Sequence, residues 1–136
     1  FLTQKNIPVI GHIGLLPQTS KSYKVKGKKK IEKEKIYKDA LSVAKAGALA
    51  VIIECVVEDL AKKITKNISI PTIGIGASKH CDGQILVTDD MLGLSDFYPK
   101  FVKRYSNLKK IIETSVKKYV KDVKDKRFPY TNNLYK

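Results

Sequence analysis

The sequence predicts an α/β fold built on a parallel sheet, and three observations carry that expectation. Short β-branched apolar runs alternate with amphipathic segments of helical period. The runs are apolar at successive positions rather than at every second one, as in strands covered on both faces. Consecutive runs are separated by helix-length segments, which demands parallel pairing through right-handed crossovers. A doubly wound sheet and a piece of a (β/α)8 barrel both satisfy this pattern, and four strands make half of such a barrel.

The first strand is expected at Ile7-Pro8-Val9-Ile10, ahead of Gly11 and Gly14. A loop rich in Ser, Thr, Lys and Gly then runs to about Lys30. Helical spacing places Ile31, Ile36, Ala40, Leu41 and Ala44 on one face of a helix over 31–46, stopped by Gly47. Ala50–Ile53 reads as a second strand. Residues 57–66 read as a short helix with Leu60, Ala61 and Ile64 inward. Pro71–Gly76 and Gln84–Thr88 supply the third and fourth strands. Phe101, Tyr105, Leu108, Ile112, Tyr119 and Val123 recur at helical spacing, which predicts a long helix over about 98–124 and an irregular tail over 125–136. Ile7-Pro8-Val9-Ile10-Gly11 is weakly echoed by Ile70-Pro71-Thr72-Ile73-Gly74, two βα units further on. Residues 1–136 are taken as one partial domain.

The chain has 136 residues, 43% hydrophobic and 29% charged, enough for a core and too apolar for disorder. Its longest apolar run, Ala48–Ile53, is far short of the roughly 18 residues of a membrane span. Two cysteines make no disulfide framework, and Cys55 lies in an apolar run, which fits a reducing, cytoplasmic location. Phe1 stands where an initiator methionine would, so the chain reads as one that starts inside a longer one. The net charge of +14 is carried almost wholly by lysine, Arg104 and Arg127 being the two arginines. Bidentate readers of phosphate and guanine are usually arginine, so a solvated lysine face, densest at Lys28-Lys29-Lys30, is preferred to a polyanion site.

Glu54 is the strongest candidate for chemistry. It ends the second apolar strand, at the C-terminal mouth where parallel sheets place ligands. A carboxylate held rigidly there against a substrate is suited to base work; pairing with a neighbouring lysine is the alternative. His12 follows the first strand, and Gly11 and Gly14 beside it admit close approach of backbone or ligand. A histidine satisfied by a backbone carbonyl is its alternative reading. His80 lies in a polar loop and reads as exposed. Gly74-Ile75-Gly76 lacks the third glycine of a dinucleotide fingerprint, since position 79 is lysine. Asp89-Asp90 reads as a capping pair in preference to a metal site. His80, Cys81 and Asp82 with Cys55 lack zinc spacing.

Several phrases recur together in a known order. They are Gly11-His12-Ile13-Gly14-Leu15-Leu16-Pro17-Gln18, Tyr23-Lys24-Val25-Lys26-Gly27, Ile53-Glu54-Cys55-Val56, Ile70 to Ala77, Asp82 to Val87, Asp90-Met91-Leu92-Gly93-Leu94 and Lys100 to Tyr105. In that order and spacing the chain resembles the second half of ketopantoate hydroxymethyltransferase, strongly from Ile7 to Tyr105 and loosely to Pro129. The resemblance implies the C-terminal half of a (β/α)8 barrel: strands five to eight, their helices and a long terminal helix.

It further implies a cytoplasmic enzyme that transfers a one-carbon unit from 5,10-methylenetetrahydrofolate to 3-methyl-2-oxobutanoate, at the start of pantothenate synthesis. Glu54 matches the family's catalytic base and His12 a histidine of its substrate pocket. The magnesium ligands would lie upstream of Phe1, with none in this chain. The full-length enzyme would be a homo-oligomer, with no nucleic-acid or membrane partner, and this chain alone would be inactive. The alternative is a stand-alone half barrel that binds or assembles without catalysis. The sequence departs from the family pattern at Lys21-Ser22, where two glycines are usual, at Leu16, where threonine is usual, at Ser78, where glycine is usual, and beside Asp82.

Overall fold

The apolar run at Ala50 becomes β2 (Ala50–Glu54), an interior strand with parallel neighbours on both sides. One neighbour is β1 (Ile10–Gly14) and the other is β3 (Thr72–Ile75). A two-residue β4 (Gly83–Gln84) adds to β3. The computed structural model that shows this describes residues 1–20 and 24–135. Lys21, Ser22 and Tyr23, which the motif comparison used, lie outside the described residues. The chain divides into two compact units, Phe1–Leu86 and Val87–Lys136.

In the first unit the strand order is β1-β2-β3-β4, all parallel. A doubly wound sheet reverses its order at a switch point; this one never reverses. Helices α1 (Lys30–Lys45) and α2 (Glu58–Asn67) make the crossovers. Ile13, Val51 and Ile53 pack with Ile36, Ala40, Leu60, Ala61 and Ile64 in one core, so both helices cover the same sheet face. Sequential parallel order with helices on one side is the architecture of half a (β/α)8 barrel. Strand alternation puts Ile10, His12, Ala50, Ile52, Glu54, Ile73 and Ile75 on the opposite, inner face.

Several sequence expectations shift. The first strand is not Ile7–Ile10: it begins at Ile10, and Gly11, His12 and Gly14 lie within it. Ile7 and Ile10 are exposed rather than buried, because β1 is an edge strand whose inner side is only partly covered. Helix α1 buries Ile36 and Ala40, whereas Ile31 and Leu41 face solvent. Its contact face instead runs through Tyr37 and Val43, toward the sheet. Gly11 explains the choice: a Cβ there would sit 2.3 Å from Val43, so α1 lies close over the strand. Helix α2 buries Leu60, Ala61 and Ile64, as the spacing predicts. The fourth strand shrinks to Gly83–Gln84, since Thr88 already opens a helix.

That helix, α3 (Thr88–Leu92), belongs to the second unit. Asp89 and Asp90 do not cap it. They sit in its first turn, where negative charge complements the helix dipole, and Val87 holds the cap position. The long helix α4 spans Leu108–Lys124, not 98–124. Pro99 disfavours helical geometry at Tyr98, and the Asn107 side chain accepts the Lys110 N–H at 3.1 Å, fixing the start. Phe101 and Tyr105 therefore lie in irregular chain; there the Tyr105 N–H reaches the Met91 carbonyl and Arg104 stacks on Tyr98. The tail contains one short 3-10 turn, Thr131–Asn133. No helix among the described residues is long and apolar enough to cross a membrane.

Candidate active site

Two of the sequence candidates meet on the inner face. His12 pairs in register with Ile52, so Glu54, two residues on, is its diagonal neighbour on the same face. Glu54 Oε2 lies 3.0 Å from His12 Nε2. The contact is one of proximity. Nε2 is buried and has no partner of hydrogen-bond geometry among the described residues. Glu54 is only 8% exposed. An ionised carboxylate withdrawn from water this far is costly unless it is paired.

The backbone around Glu54 is fully engaged. Its carbonyl accepts the Leu15 N–H at 2.9 Å. Cys55, the next residue, adopts φ +50° and leaves the strand line. The Cys55 N–H donates to the Ile75 carbonyl at 2.9 Å, and the Cys55 carbonyl accepts the Lys26 N–H at 2.7 Å. Lys26 continues as a parallel bridge to Val56 and accepts the Val57 N–H at 3.0 Å. Burial pushes the Cys55 thiol up, and the Glu54 charge adds to that rise. Its sulfur is thereby kept a neutral, inert neighbour.

The two glycines around His12 admit the protein's own chain. Gly14 has φ +89°, and a Cβ on it would lie 2.3 Å from the Glu54 carbonyl oxygen and 2.5 Å from Val56. Glycine here lets the ends of β1 and β2 close on each other beside the carboxylate. A cleft between β1 and α1 is lined by His12, Leu16, Lys26, Glu32 and Lys35, and Glu54 is not part of its lining. The exposed His80 and the buried Cys81 stand apart from this pair; Cys81 belongs to the helix-side core. Asp82 has a structural use that the sequence reading missed. It accepts the Thr72 N–H at 2.8 Å and the Thr72 hydroxyl at 2.9 Å, tying the β3–β4 loop to the start of β3. Those bonds hold its carboxyl below the usual range. No three His, Cys, Asp or Glu side chains that could hold a metal ion converge among the described residues.

Residues 1–131 match the family model described as ketopantoate hydroxymethyltransferase. The chain belongs to the ketopantoate hydroxymethyltransferase family. It is 49% identical over 99% of its length to the 3-methyl-2-oxobutanoate hydroxymethyltransferase of Maricaulis maris, covering 50% of that protein. The enzyme of the same name from Bartonella bacilliformis is 50% identical over 100% of this chain and 51% of its own length. That of Phenylobacterium zucineum is 51% identical over 99% and 50%. The chain thus spans about half the length of the curated relatives it matches. The Cys55 turn and the Lys26 strap are what sequence reasoning missed. Cysteine carries no turn signal, and the partner segment lies 29 residues away in sequence.

Proposed function

We propose that the full-length protein carrying this chain transfers a hydroxymethyl group to 3-methyl-2-oxobutanoate, with Glu54 as the base. One observation supports the reading above the rest: a carboxylate 8% exposed, crowning a parallel strand and facing an imidazole at 3.0 Å. Glu54 takes the proton from the carbon beside the ketone. The C–H electron pair becomes the enolate double bond, and the ketone oxygen takes up the charge. The enolate carbon then bonds to the one-carbon unit of 5,10-methylenetetrahydrofolate. Both bonds from that carbon to the folate nitrogens break, one as the enolate carbon bonds to it and one as water supplies the hydroxyl oxygen; the two nitrogens take up the proton held by Glu54 and the proton that water gives up. His12 lines the substrate pocket beside Glu54. Rigid placement matters because a carboxylate in water is a weak base for a C–H proton; orientation against the bound substrate makes up the difference.

In this reading magnesium belongs to residues other than those described, and the 136 residues alone give no turnover. Wash-in of deuterium at the carbon beside the ketone tests proton removal without the transfer step. In the full-length protein, Glu54→Gln lowers that exchange by about 10²–10⁴-fold with oxoacid affinity retained. Near-normal exchange in Glu54→Gln would place the base elsewhere.

A further inference from the structure

We propose that Cys55 is a positioning residue: its left-handed backbone, locked by the Lys26 strap and by Gly14, aims the Glu54 carboxylate at His12. The proposal rests on Glu54 being the base. Among the described residues three non-glycines have positive φ: Asn6, Cys55 and Lys126. Asn6 and Lys126 follow helical segments, where left-handed geometry is routine. Cys55 instead ends a strand, is 4% exposed, and is neither glycine nor asparagine. Such a conformation persists only where the surroundings over-determine it, and such residues cluster at working sites.

The surroundings here do over-determine it. Three segments hold the turn: Leu15 on the Glu54 carbonyl, Ile75 on the Cys55 N–H, and Lys26 on the Cys55 carbonyl. Had residue 55 stayed extended, its peptide would point along the β2 ladder and could not meet Lys26 and Ile75 together. Gly14 closes the fourth side, with its Cα hydrogens where any Cβ would strike the Glu54 carbonyl oxygen. The Glu54 main chain is therefore fixed on both sides of its Cα, and strand alternation puts its side chain on the inner face beside His12.

The test compares substitutions at residue 55 in the full-length protein. Cys55→Gly and Cys55→Asn accept positive φ; Cys55→Val, β-branched, resists it. Cys55→Gly and Cys55→Asn are expected to keep kcat within about threefold, whereas Cys55→Val loses about 100-fold in kcat at unchanged KM, as misplacement of a reacting group does. Equal activity in Cys55→Val and Cys55→Gly overturns the proposal, as does an equal loss in both, which would make the thiol the important feature. If Cys55→Val does not fold, Cys55→Thr, which is also β-branched, carries the comparison. A drop of about tenfold relative to Cys55→Gly upholds the proposal, and equality ends it. Crystal structures separate this proposal from the base reading. A Glu54–His12 separation that stays at 3.0 Å in Cys55→Val sinks positioning alone. Full deuterium exchange in Glu54→Gln sinks the base alone, and a lengthened separation in Cys55→Val then still upholds positioning.

Discussion

In α2, Leu60, Ala61 and Ile64 share one face and all three are buried. In α4, Ile111, Ile112, Val116, Tyr119, Val120 and Val123 recur just as regularly, and none of them is buried. The two helices also differ in how they are started. Helix α2 has no side-chain cap and relies on Glu58 and Asp59 in its first turn. Helix α4 has the Asn107 cap and closes on Lys121 and Lys124, which suit its C-terminal carbonyls. The contrast teaches that periodicity reports an apolar face and leaves open what covers it. Helix α2 is held by burial against the sheet, and α4 by local signals along its own chain.

Cutting the buried helix gives the largest effect. Ile64→Ala removes a side chain that is 0% exposed and is expected to cost about 2–5 kcal/mol in denaturant unfolding. Ile112→Ala, its counterpart in α4, is expected to cost less than about 0.5 kcal/mol. Equal costs would erase the distinction between the two helices. A smaller effect comes from the cap: Asn107→Ala is expected to cost about 1 kcal/mol and to fray the first turn of α4 in amide exchange. Unchanged protection at Lys110 and Ile111 would show that α4 does not depend on its own sequence signal.

The smallest effect is a pH dependence confined to the first unit. The Thr72 bonds hold the folded Asp82 carboxyl below its unfolded value, so its contribution is complete above about pH 3.9 and is lost as pH falls through the folded value. The melting temperature is therefore expected to fall more steeply below about pH 4 in the parent than in Asp82→Asn. Parallel slopes would mean that the loop tie does nothing for stability.

Much of the fold was legible in the residues. The apolar runs at Ala50 and Pro71 announced interior parallel strands, since only a strand covered on both faces tolerates unbroken apolarity. Leu60, Ala61 and Ile64 gave α2 its buried face. The first strand was misplaced because Ile7-Pro8-Val9 looks more strand-like than Gly11-His12-Ile13-Gly14. Glycine's low strand propensity hid positions whose purpose is close packing against Val43 and the Glu54 carbonyl. The long helix was over-extended because Phe101 and Tyr105 fall by accident on the helical period, ahead of the Asn107 stop. Glu54 was legible as a strand-end group; His12 was read as following a strand, whereas it lies within β1, and their diagonal contact was not legible because it depends on a register set between two separate strands.

By itself, then, the order of residues determined which segments extend, which coil, and that a carboxylate ends the second apolar run. These are local facts, settled by propensity and period within a few residues of chain. The tertiary structure decided which face Glu54 occupies, that His12 lies 3.0 Å from it, and that Cys55 turns left-handed under the Lys26 strap. Those facts depend on hydrogen bonds between segments distant in sequence. Such bonds take their geometry from the packed sheet, and no stretch of the chain contains it alone.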